Sequence, residues 1–152
     1  SSLNGGDVFR GEAKRRGMSL ADFGALCTTD LEVDRQLDAL LQERMSATGA
    51  EEIVESRLSG WWAYRLNLDC VRLWVDVDDE ERARRVVARE GGTIEEALEA
   101  NAKRTSVDAE RFTELYSLLP EQREPYTIVL DATHLGRDEV LAAVIEHLEA
   151  TA

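Results

Sequence analysis

Arg104, Asp108 and Arg111 are spaced by four and then three residues, so a helix through them would carry all three on one face. A carboxylate between two guanidiniums is a clamp for phosphate. Each guanidinium is a planar fork of donors that stays charged, and the Asp holds the forks in place. The same spacing also makes an ordinary surface ion pair, so the positions of the other arginines decide between the two readings. Arg82, Arg85 and Arg89 share one face of an earlier helical stretch, with Arg84 off it. Arg57 follows a short apolar segment. Arg10 lies one turn into a helical stretch opened by Gly5-Gly6, whose unbonded N–H groups suit an anion. All this occurs in a chain of net charge -13. Arginines set after successive elements of so acidic a molecule are placed to converge on a multiply charged anion, a polyphosphate first of all.

The bulk properties narrow the classes. With 152 residues and 43% hydrophobic content, the chain fits one domain spanning 1–152. Acidic residues number 31 against 18 basic ones, and Lys14 and Lys103 are the only lysines. Such a surface repels nucleic acid, and no basic stripe or aromatic platform offsets it. It also suits a cytoplasm of high salt, although a GC-rich genome would equally favour Arg over Lys. No run of eighteen apolar residues is present, so no membrane partner is expected. Ser1-Ser2-Leu3-Asn4-Gly5-Gly6 has no basic, apolar-cored signal. Cys27 and Cys70 are isolated, match no metal spacing and read as cytoplasmic thiols.

Elements to position the arginines follow from patterning. A helix to Arg16 stops at Gly17, and Ser19 with Asp22 opens a second. Asp30 caps a third, running to Thr48 and closed by Gly49. Ile53-Val54-Glu55 is a short strand, and 70–77 and 126–131 are β-branched or aromatic enough to be two more. Asp78 with Glu81, and Thr93 with Glu96, are capping signatures for helices over 79–90 and from 93 to about 116. A last amphipathic helix covers 137–150. Strands alternating with helices predict a parallel sheet covered on both faces, with ligands at the carboxyl ends of the strands.

Four stretches, in order, resemble the archaeal-type cytidylate kinases among the nucleoside monophosphate kinases. They are Gly6-Asp7-Val8-Phe9-Arg10, Glu55-Ser56-Arg57-Leu58-Ser59-Gly60-Trp61, Arg85-Val86-Val87-Ala88-Arg89-Glu90-Gly91 and Arg104…Asp108…Arg111. The resemblance runs over nearly the whole chain and implies a P-loop-kinase-like α/β fold: a three-layer parallel sheet with helices on both faces. It implies transfer of the ATP γ-phosphate to CMP or dCMP, with Mg²⁺ accompanying ATP. Asp7, Arg10, Arg57 and Gly60 match the acceptor-phosphate site. Arg85 and Arg89 match lid-side arginines that meet the base and phosphates of ATP. Arg104 and Arg111 match the catalytic pair that bridges donor and acceptor phosphates, oriented by Asp108. Glu55 matches an acid near the Mg²⁺ and acceptor.

The sequence departs from that family in one large respect. It contains no Gly-rich loop of the form G-x-x-x-x-G-K-[ST], nor the strand and helix around it, and it begins about where the second strand would end. Loss of those parts removes the backbone cradle, the Lys and the Mg²⁺-binding hydroxyl, and leaves strand edges unpaired. Such a chain is expected to be weak or inactive alone. It is either a truncated form, a sheet completed by a missing segment or complementing chain, or a non-catalytic remnant that still binds a nucleotide or partner. Leu31 and Leu119 are smaller departures, where Pro and Asp are usual. Trp61 and Trp62 are either core residues or a stacking platform for a pyrimidine. His134 and His147 have no sequence partner and read as solvated.

Overall fold

The computed structural model describes residues 1–151. Their order is β1 (Ser2–Asn4), α1 (Gly5–Arg15), α2 (Leu20–Thr29), α3 (Leu31–Ser46), β2 (Ile53–Glu55), α4 (Ser59–Arg65), β3 (Leu73–Asp76), α5 (Asp79–Glu90), α6 (Ile94–Tyr116), β4 (Ile128–Asp131) and α7 (Arg137–Thr151). Side-chain caps set most helix starts. Ser19 accepts from the Asp22 N–H, Asp30 from Glu32, and Asp78 from Glu81. Thr93 and Glu96 form a reciprocal capping box. Asn4, whose capping role the sequence reading missed, accepts from the Gly6 N–H at 2.7 Å. Gly91 and Gly92 separate α5 from α6 with φ of 82° and 89°, values that cost a side-chain-bearing residue 1 to 2 kcal/mol, roughly. The third helix ends at Ser46, two residues short of the expected end.

Two compact units divide at Cys70 and Val71. In the first, α1, α2 and α3 enclose Ala13, Phe23, Cys27 and Val33, with Phe9, Met18, Leu26 and Leu37 packed around them. Phe9 and Phe23 meet at 4.8 Å between ring centroids. Trp61 and Trp62 are buried in α4, at 5% and 2% exposure, and Arg65 lies over both rings at 5.6 and 5.8 Å. The stacking role for these rings is therefore corrected: burial leaves them no face for a pyrimidine. In the second unit, α5 packs along α6, and the small residues Ala83 and Ala97 are buried. Phe112, Leu118 and Ile128 are buried in the same unit.

The α/β class and the parallel pairing are as expected, but the strands do not form one sheet. They make two separate two-stranded parallel sheets. β1 pairs with β2, aligning Asn4 with Glu55, and β3 pairs with β4, aligning Asp76 with Asp131. A parallel sheet grows only where another strand presents its backbone alongside, and each pair stops at two strands. Faces that a wider sheet would cover stay open: Ile53 is 65% exposed and Val75 43%.

Candidate functional site

In the first unit the carboxyl ends of β1 and β2 run directly into the residues singled out above. Gly5 begins α1 immediately after Asn4, and a Cβ built there would lie 2.8 Å from the Ser56 Cβ. Only glycine lets these two chain segments press together so closely. Asn4 ties them as well, capping α1 through its oxygen and donating through Nδ2 to Glu55. Beyond β2, Ser59 Oγ donates to the Ser56 carbonyl at 3.1 Å and accepts from the Ser56 N–H at 3.3 Å, which fixes the turn carrying half-buried Arg57. Gly60 follows in the first turn of α4.

Arg10 bends back over the start of α1. A Cβ on Gly6 would lie 3.2 Å from its Nη1, and its Nη2 donates to Asp7 at 2.6 Å. A guanidinium beside a helix N-terminus stands where the helix dipole already favours negative charge. Asp7 offsets part of that, and the side chain of Arg10 remains 56% exposed. Asn4 takes the Gly6 N–H, and Arg10 is the charged donor that lies beside this helix start. Asp7, Arg10, Arg57 and Gly60 thus sit at one sheet edge, with Glu55 engaged by Asn4. At the far end of α1, Glu12 accepts from Arg15 and Arg16 at 2.6 to 2.7 Å. Those hydrogen bonds hold its pKa down at about 2.

In the second unit, Arg111 Nη2 donates to Asp108 at 3.0 Å, and both side chains are mostly buried. The guanidinium also lies over the Phe112 ring at 5.0 Å. Arg104, one turn earlier on α6, is exposed and joins no ion pair among the described residues. The expected three-membered clamp is thus a pair, Asp108 with Arg111, plus a guanidinium extended into solvent. Arg89 is exposed and bonds Glu90. Arg85 is differently used. Its Nε donates to Glu81 at 2.9 Å, and its Nη2 donates to the carbonyls of Ala132 and Leu135 at 2.7 and 3.0 Å.

Neither the cap of Asn4, the serine pair 56/59, nor the 131–136 turn stood out in the sequence reading. Asn before Gly-Gly and Asp131 two residues before Thr133 were the available signals, since both side chains commonly bond a backbone N–H two positions on. Among the described residues no group of three or more His, Cys, Asp or Glu side chains could hold a metal ion.

Parallel βα turns that present glycine, helix N–H groups and arginine at the carboxyl edge are those of an α/β phosphate-binding protein. The comparisons narrow this class. The chain is 34% identical over 146 residues to the cytidylate kinase of Thermococcus kodakarensis, covering 94% of this chain and 73% of that protein. It is 33% identical to the cytidylate kinases of Methanocorpusculum labreanum and Halobacterium salinarum, covering 93% and 97% of this chain and 78% and 76% of theirs. No family model matches the chain, and no solved structure does. The chain belongs to the archaeal-type cytidylate kinases, a family of nucleoside monophosphate kinases.

Proposed function

We propose that this chain takes part in transfer of the γ-phosphate of ATP to CMP or dCMP. The observation that carries the reading is the edge of the first unit, where Arg10 lies over a glycine-opened helix start beside the turn bearing Arg57. In this reading Asp7, Arg10, Arg57 and Gly60 receive the acceptor monophosphate. Arg104 and Arg111 reach the transferring phosphoryl group, and Asp108 keeps Arg111 aimed. Arg89 and Arg85 serve the donor nucleotide. Phosphoryl transfer asks a protein for alignment and charge neutralisation more than for covalent chemistry, so arginines are suitable equipment. Mg²⁺ enters with ATP and, when bound, neutralises charge on the phosphate oxygens. Much of its coordination comes from water and phosphate, so it needs no large protein cage.

Completion of the single kinase domain, with one parallel sheet between helix layers, belongs to this proposal. So does its cytoplasmic setting; among the described residues no helix is long and apolar enough to cross a membrane. The sequence contains no G-x-x-x-x-G-K-[ST] loop, and we infer that turnover requires one, supplied as an added segment or by a complementing chain. A coupled ATP/CMP assay tests this. The chain alone should turn over very slowly or not at all, and addition of the family's phosphate-loop segment should restore rate. Substantial turnover without it would remove the requirement, and none with it would leave a nucleotide-binding remnant. In the completed enzyme, Arg104→Ala or Arg111→Ala should lower kcat on the order of 10² to 10³-fold. Normal rates in both variants would sink the roles given to α6.

A further inference from the structure

Ser56, the first residue after β2, carries an oxygen for which the fold has no use. Its backbone is closed onto Ser59: the Ser56 N–H donates to Ser59 Oγ at 3.3 Å, and Ser59 Oγ donates to the Ser56 carbonyl at 3.1 Å. Its Cβ is the atom that a side chain at Gly5 would strike, at 2.8 Å, so the side chain stands against the first residue of α1. The Oγ itself is shielded from solvent and meets no hydrogen-bond partner among the described residues. Packing accounts for the Cβ, which alanine would supply equally well. It does not account for the oxygen, because a shielded hydroxyl without a partner has lost its water and gained nothing in return.

Groups left in this condition by a fold concentrate at sites whose missing partner is a ligand. The neighbours of Ser56 indicate the chemistry of that ligand. Arg57 is the next residue, and across the strand pair the start of α1 carries Arg10, folded back over Gly6. The carboxylates of this edge are already engaged, Asp7 by Arg10 and Glu55 by Asn4. A hydroxyl placed here has its hydrogen available for an anionic oxygen, and hydrogen bonds to ionised acceptors are the stronger ones. One χ1 rotation moves a serine oxygen among staggered positions, so the hydroxyl can leave its shielded position when an acceptor arrives.

We propose that Ser56 is a further substrate-binding residue, whose hydroxyl donates to the phosphate of the acceptor nucleotide. The proposal rests on the reading of the first unit's edge as the acceptor site, and adds to its arginines a neutral donor. In the free chain the unbonded hydroxyl lowers stability; in the complex it is bonded. Removing the oxygen should therefore stabilise the free chain and weaken the complex. A serine with a purely structural role cannot give those opposite signs.

The test titrates CMP and cytidine separately into the full chain and its Ser56→Ala and Ser56→Gly variants by calorimetry, and follows thermal unfolding of wild type and Ser56→Ala without ligand. Ser56→Ala should raise Tm by about 1 to 3 °C and weaken CMP about tenfold. Ser56→Gly should weaken CMP by a similar factor. Cytidine should bind wild type and Ser56→Ala alike, or bind neither, since it lacks the phosphate. A Tm that stays level or falls in Ser56→Ala would show the hydroxyl already bonded in the free chain and overturn the proposal. Cytidine weakened as much as CMP would overturn it in favour of a contact to the sugar or base. CMP weakened in Ser56→Gly alone would overturn it in favour of Cβ packing against Gly5. Wild-type binding of CMP with unchanged affinity in Ser56→Ala sinks only the role of Ser56, while no CMP binding by wild type sinks the acceptor-site reading itself.

Discussion

The two units end their strand pairs in the same parallel geometry and in different electrostatics. β1 and β2 lead into Gly5, Gly6, Arg10 and Arg57, two guanidiniums set beside the carboxylates of Asp7 and Glu55. β3 and β4 end on aligned aspartates, with Asp78 beyond them and Arg85 tied to carbonyls. A βα turn therefore does not by itself define an anion site. Strand direction sets where a ligand can lie, and the side chains of the following turn choose its charge. The pairing also shows how an acidic molecule can use few cations effectively, by leaving some guanidiniums accessible and building others into the frame.

The largest expected effect comes from removing the arginines of the first edge. Arg10→Ala and Arg57→Ala should each raise the KM for CMP about ten- to a hundredfold in the completed enzyme, as expected for one lost charge-assisted contact, and leave the KM for ATP nearly unchanged. An equal rise for both substrates would erase the division of labour between the edges. A smaller effect is expected from packing. Gly5→Ala drives a methyl group to 2.8 Å from Ser56 Cβ and should cost about 1 to 3 kcal/mol while weakening CMP binding. Gly11→Ala, on the same helix with open space around it, should instead stabilise by about 0.5 to 1 kcal/mol. Denaturant midpoints of the two variants should move in opposite directions.

The smallest effects separate the units by pH. Glu12 has its pKa depressed from 4.5 to about 2 by Arg15 and Arg16, so its contribution to the first unit is present above pH 4.5 and fades toward pH 2. Burial raises the pKa of Tyr126 in the second unit from 10.0 to about 12, with Glu121 adding to it, and the hydroxyl donates to the Pro120 carbonyl at 2.5 Å. That contribution is present below pH 10 and lost as pH rises toward 12. Glu12→Gln and Tyr126→Phe should each cost about 1 kcal/mol near neutrality. The first difference from wild type should shrink in acid and the second in alkali, as read from urea midpoints across pH. Differences that ignore pH would show that neither ionisation is linked to folding.

Much of this was legible in the residue order. Asp78 with Glu81 and Thr93 with Glu96 mark the starts of α5 and α6 because capping is decided within four residues. The four arginine-bearing stretches carried the family, since each is a short run of side chains. Asn4 and Arg85 were not legible in their actual roles. Both act across long sequence separations, Asn4 on Glu55 and Arg85 on Ala132 and Leu135, and no local pattern reports such contacts. The width of the sheet was also beyond local reading, because pairing depends on which strands find a neighbour.

By itself, then, the sequence determined six of the seven described helices, the caps at Ser19, Asp30, Asp78 and Thr93, three of the four strands and the set of cations, all consequences of propensity and spacing along the chain. Tertiary structure decided which of those cations remain accessible and which become internal struts. A guanidinium is equally charged in both settings, and only the carboxylates and carbonyls brought beside it by folding determine whether its donors are still available to a phosphate.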